Sequence, residues 1–208
     1  MDRLEGIVEK ARERARFRIA ALRLEYPGQD EVALGRRLVQ SMALRAGVAG
    51  AATGTLALVA LPLGLPAGIA ISLLLEAELI FALLELYGVE TEGEPGRLKL
   101  YALWAGAGFA DAAKGVGLRA GANAVGRVLR GSLPVRIIRR LNPALIRAIL
   151  RRLGLEWIPR AARFWPLLGA PIAFALDRAA LQTLGDATLA ILDDAARARR
   201  RGARARSV

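Results

Sequence analysis

Cysteine and histidine do not occur anywhere in this chain of 208 residues. Their absence excludes disulfides, thiolate nucleophiles, the imidazole general base and the principal nitrogen and sulfur metal ligands. Lysine is nearly missing as well, with three residues (Lys10, Lys99 and Lys114) against 28 arginines. The serines at 41, 72 and 132 stand in no Gly-x-Ser-x-Gly elbow, and no spacing pairs any of them with a lysine base. No stretch alternates apolar and polar residues with the period of a strand. These absences point to an all-α, non-enzymatic protein with no cofactor and no bound metal.

What is present is apolar matter and positive charge. The apolar fraction of 54% exceeds the usual share, and the formal charge of +12 favours acidic partners. At this length one helical domain with a substantial core is expected. From 46 to 75 the chain carries no charge. A run of this length would suggest a membrane span, but Pro62 and Pro66 divide it into pieces too short to cross a bilayer. The segment therefore predicts a helical hairpin with an oily tip, Leu61-Pro62-Leu63-Gly64-Leu65-Pro66. Its arms, about 46–61 and 67–86, would be roughly 24 and 30 Å long. Small residues line the first arm, and the spacing of Gly50 and Gly54 permits close helix approach.

Around the hairpin, amphipathic helices are predicted. Residues 3–26 place Leu4, Ile7, Val8, Ala11, Ala15, Ile19, Leu22 and Tyr26 on one stripe. Phe17 and Leu24 lie on the opposite side, so this helix meets apolar matter on two faces. Pro27-Gly28 ends it, and Gln29 or Asp30 caps a second helix over 30–45. Gly88 is a helix stop, and 89–96 reads as an acidic surface loop. Further helices are predicted at 98–113, through a glycine-rich stretch to Gly131, at 143–153 behind an Asn142-Pro143 start, and at about 177–196. Another apolar run, Phe164 to Leu176, is broken by Pro166, Gly169 and Pro171 and is again too short to span.

Charge is segregated along the chain. Residues 46–96 hold six acids and no base, whereas 112–155 hold ten bases and no acid. The basic stretch, with Arg136, Arg139, Arg140, Arg147, Arg151 and Arg152, has the character of a surface for an anionic partner. Arginines also flank Trp157, Phe164 and Trp165, which suits a headgroup region. Six arginines between Arg197 and Arg206 repeat the preference in a tail expected to be frayed. Nucleic acid would satisfy the same electrostatics, yet no helix-turn-helix, stacking platform or other reader is visible, so it is disfavoured.

In the second hairpin arm Glu78 and Glu85, seven residues apart, share a face while Glu76 points away. Two readings stay open: a buried acid pair for proton handling or a hard cation, or carboxylates paired with arginines of the basic half or facing solvent. Two ligands are few for an oxygen-only metal site. The glycines between Gly106 and Gly121 lack the strand, helix and Gly-Lys-Ser/Thr context of a nucleotide site, and predict close helix packing instead.

Taken as an ordered set, Gly50-Ala-Ala-Thr-Gly54 with its Leu-Pro turn, Leu86-Tyr87-Gly88-Val89-Glu90, and Pro166-Leu-Leu-Gly169 leading to Asp177 and Leu184-Gly185 resemble the EcsC family. Glu90 stands where that pattern has aspartate. The family is named for a protein encoded beside ABC-transporter components, and the resemblance implies a shared fold and a membrane or transport connection, with no catalytic residues. The expected organisation is an amphipathic helix at 1–26, an EcsC-like helical domain at 27–194 and a tail at 195–208. The amino terminus, charged throughout, is no secretory signal. Peripheral association with the cytoplasmic face of a membrane is expected, through the arginines above and through insertion of Leu61 to Pro66, Trp157 and Trp165. The alternatives are a soluble helical module enclosing a lipid or other apolar ligand, and a basic nucleic-acid binder.

Overall fold

A computed structural model describes residues 2–57, 64–105, 128–129 and 169–205. It contains five helices and, among the described residues, no strand. They are α1 (Asp2–Glu25), α2 (Glu31–Ala57), α3 (Gly64–Leu86), α4 (Gly93–Ala105) and α5 (Gly169–Ala205). The all-α bundle expected from the sequence is what the chain forms.

The centre of the bundle is α3. From Ala77 to Leu84 every apolar side chain is completely buried, and Leu73, Leu86 and Val89 are nearly so. A helix that is apolar on every side needs neighbours on every side. It receives α1, α2, α4 and α5. Helix α1 contributes Val8, Ala11, Ala15 and Ile19, the stripe predicted from spacing, and the two alanines let it lie close. Helix α4 contributes Leu98, Leu100, Tyr101, Leu103 and Trp104, and the helical pair Val128 and Leu129 joins the same core.

Several boundaries differ from expectation, each for a local reason. The helix predicted at 30–45 and the first hairpin arm are one continuous helix, α2, because nothing near residue 45 stops it. Gly47 and Gly50 each weaken a helix interior by about 1 kcal/mol, but both are buried beneath α5. Helix α3 begins at Gly64, so the last three residues of the expected turn are helical. Pro66 is tolerated there because its missing N–H would have no partner in a first turn. Pro95 and Pro171 stand in the first turns of α4 and α5 for the same reason. The acidic loop is accordingly shorter than 89–96, and Glu94 lies in the favourable first turn of α4. Helix α5 is longer at both ends than 177–196, and its alternating alanines and arginines stay helical to Ala205 where a frayed end was expected.

The predicted stops behave as written. Gly28 and Gly88 have φ of 81° and 63°. At Gly88 the amides of Gly88 and Val89 donate to the carbonyls of Glu85 and Leu84 at 3.1 and 2.9 Å, a Schellman closure sealed by buried Val89. Asp30 caps α2, accepting from the Ala33 amide at 2.7 Å.

Helices α2 and α5 run antiparallel in the closest pairing of the bundle. Gly35 faces Leu189, Gly185 faces Val39, and Gly50 faces Ala173 and Asp177. A Cβ on Gly185 would meet both Val39 methyl carbons at 2.7 Å, and one on Gly50 would meet the Ala173 carbonyl oxygen at 2.9 Å. Gly185→Ala and Gly50→Ala are therefore each expected to destabilise by about 1–3 kcal/mol in urea unfolding. Gly6→Ala on α1, where a Cβ meets nothing within 4 Å, is expected to stabilise by about 0.5–1 kcal/mol.

At the end of α3 the Tyr87 hydroxyl donates to Asp193 on α5. Burial first, then the bond to Asp193, pushes the Tyr87 pKa well above the ordinary tyrosine value. A raised folded pKa means that the neutral ring stabilises the fold below pH ~10 and that this stability is lost as pH rises beyond it. Tyr87→Phe is expected to flatten the alkaline fall in urea midpoint above pH ~10.

Candidate functional site

Carboxylates on α3 divide by face. Glu78, 1% exposed, accepts from Arg18 of α1, with Nε at 2.7 Å and Nη2 also in contact with the same Oε1. About two turns further on, Glu85 is half-buried and accepts from the Thr91 hydroxyl at 2.5 Å and from Arg16 Nε at 3.4 Å. The two acids do share a face, but they are not a buried pair: each is held by its own partners. Their partners among the described residues come from α1 and the following loop. Arg16 and Arg12 also reach Glu92, the latter at 2.7 Å, and the hydrogen bond from Arg16 holds the Glu92 carboxyl below its ordinary pKa. Among the described residues no group of three or more acidic side chains is placed to hold a metal ion.

Glu76 faces the other way and is also buried, a residue the sequence placed by direction but not as a core acid. The Trp104 indole N–H donates to it. With Asp177, Ser72, Gly50, Ala46 and Leu181 it lines a cavity of about 10 Å³, room for about one water. This space is too small for a lipid chain. Lys99, likewise buried, donates to the Glu90 carbonyl at 2.7 Å, and burial lowers its pKa. Both features tie elements together inside the core.

On the outside, α1 and α2 diverge from the turn at Pro27-Gly28 and leave a groove of about 630 Å³ between them. Its walls carry Arg14, Phe17 and Arg18 from α1 and Arg37, Ser41 and Arg45 from α2, with Glu78 of α3 behind them. The Arg37 guanidinium stacks 4.4 Å from the centre of the Tyr26 ring and donates through Nε to Gln29 at 3.0 Å. Arg14 and Arg45 have no ion-pair or hydrogen-bond partner among the described residues. Glu25 is the one further charge on the lining.

The same surface exposes large apolar groups. Phe17 is 71% and Leu24 83% exposed on α1, and Leu44 and Val48 are 50% and 58% exposed on α2. Leu44 and Val48 continue the α2 stripe that carries Ser41 and Arg45, by the i, i+3, i+4, i+7 rule. Phe17 and Leu24, expected to meet apolar matter on a second face of α1, do lie opposite the buried stripe but stand largely in solvent. The α2 half of this surface, with Arg37 and Arg45, was not singled out from the sequence.

Of the contact residues expected from the sequence, Leu61, Pro62, Leu63, Trp157, Trp165, Arg136, Arg139, Arg140, Arg147, Arg151 and Arg152 lie outside the described residues. Gly64, Leu65 and Pro66 form the first turn of α3. No helix among the described residues is long and apolar enough to cross a membrane.

No family model, curated protein or solved structure matches this chain.

The Arg18–Glu78 pair fixes α1 to the core. Arg18→Ala leaves a carboxylate buried without a counter-charge and is expected to destabilise by about 3 kcal/mol, the low end for a buried pair because Arg18 is partly exposed. The double variant Arg18→Ala/Glu78→Leu is expected to recover most of that loss in the same urea titration.

Proposed function

We propose that this chain is a non-enzymatic, EcsC-like protein that associates peripherally with the cytoplasmic face of a membrane, in a role accessory to a transporter or an envelope process. The observation that carries the membrane reading is the face made by α1 and α2. Four large apolar side chains stand in solvent there, beside Arg14, Arg37 and Arg45. Scattered exposed leucines need no explanation, but apolar groups gathered with cations on two adjoining helices suit an interface of acyl chains and anionic headgroups. Attraction contributes about 1 kcal/mol per arginine near such a surface, and insertion of the apolar groups adds to it. The basic segment from 112 to 155 and the tail contribute more cations of the same kind.

A lipid carrier with an internal cavity is the competing reading; the water-sized space beside Glu76 and Asp177 gives it no support. Nucleic-acid binding rests on charge alone.

Liposome flotation separates them. The protein is expected to float with vesicles containing anionic lipid, to stay down with zwitterionic vesicles, and to be partly released by high salt, which screens the attraction. Flotation with neither vesicle would remove the membrane reading. Lipid co-purifying with a protein that ignores vesicles would favour the carrier, and salt-sensitive retention on DNA alone would favour the nucleic-acid binder.

A further inference from the structure

Adsorption to a charged surface requires cations, but it does not require them to be oriented. Two arginines of the α1–α2 groove are oriented. Arg18 uses Nε and Nη2 on Glu78, which leaves Nη1 without a partner among the described residues. Arg37 is held flat against Tyr26 and anchored through Nε to Gln29, and no carboxylate among the described residues pairs with it. Arg14 and Arg45 line the same groove with no such anchors. Fixed guanidinium groups lose little freedom when they bind an oxyanion, and arginine matches phosphate geometry through paired donors.

We infer that the groove between α1 and α2 is a one-to-one binding site for the phosphate headgroup of an anionic lipid, with Arg18 and Arg37 as preoriented donors and Arg14 and Arg45 completing the charge. This inference rests on the membrane reading above and narrows it from adsorption to recognition.

Three observations select this occupant. The volume of about 630 Å³ falls within the range of small-ligand sites. Four arginines against Glu25 and the already paired Glu78 leave an excess of positive charge on the lining. Phe17 lines the groove, and exposed Leu24, Leu44 and Val48 extend its apolar surroundings, which a lipid can cover and a soluble phosphate cannot. The Glu25 carboxylate already accepts from the Tyr26 hydroxyl, and a headgroup hydroxyl can share its remaining lone pairs, so phosphatidylglycerol is the appropriate probe.

Arg14→Gln/Arg45→Gln removes two exposed cations that have no partner among the described residues and is expected to fold with an unchanged circular-dichroism melt. In co-sedimentation with phosphatidylglycerol vesicles it is expected to bind about thirtyfold more weakly than the native chain, ~1 kcal/mol for each arginine. Arg36→Gln/Arg178→Gln, two exposed arginines that line no part of the groove and lie outside the tail, makes the same change in net charge and is expected to lose about threefold or less, as a screened distant charge does. Equal losses in the two variants would overturn the groove assignment while leaving the membrane reading intact. Failure of the native chain to bind these vesicles would end both. In calorimetry, dihexanoyl phosphatidylglycerol below its micelle concentration is expected to bind at one site per chain. Inorganic phosphate is expected to bind about tenfold more weakly, since only the lipid buries apolar surface. Equal affinity for inorganic phosphate would overturn the assignment to lipid.

Discussion

The burial of α3 governs the rest of the molecule. Its side chains from Ala77 to Leu84 reach zero exposure on all sides, so no arrangement leaves one face of it to water without a large loss of apolar contact. Three glutamates interrupt this apolar cylinder, and they decide which neighbour goes where. Glu78 and Glu85 accept arginines from α1, whereas Glu76 accepts the indole N–H of Trp104 from α4. An apolar surface alone would accept α1 at many registers. A buried carboxylate accepts it only where a guanidinium arrives, because a register that left Glu78 unpaired would bury a bare charge.

The second constraint is the close contact of α2 with α5. Glycines alternate across it, Gly35 and Gly50 from one helix and Gly185 from the other, so each helix presents a gap where its partner presents a side chain or a backbone carbonyl. This brings two elements far apart in sequence into the tightest seam of the bundle and places α5 against the back of α2. With one face of α2 committed to α5 and its inner face to α3, the face with Ser41, Leu44, Arg45 and Val48 is the one left toward solvent.

Much of the fold was legible because it rests on local signals. The α1 stripe, the stops at Gly28 and Gly88, the Asp30 cap and the opposed directions of Glu76 and Glu78 follow from spacing and from residue chemistry. Helix starts were less legible, because Pro66, Pro95 and Pro171 act as first-turn residues in the structure yet resemble loop punctuation in a linear reading. The partners of Glu78 and Glu85 were not legible either. Charge segregation drew attention to the second half of the chain, while the nearer tertiary neighbour, α1, carries arginines among its own glutamates and so shows no charge bias. The groove was half visible: Phe17 and Leu24 announced a second face on α1, but the arginines opposite them become a site only once the turn at Pro27-Gly28 folds α2 back alongside.

One carboxylate links the core to that surface. Glu78 is almost wholly buried, and its partner Arg18 lines the groove. The core therefore supplies the negative charge that orients a donor on the groove wall. Replacing Glu78 with an apolar residue would relieve burial of a charge but would also release Arg18 to sample many rotamers. The acid in the middle of an otherwise oily helix is thus understood as a compromise: it is suboptimal for packing, yet it is what places a fixed cation on the outward face of α1.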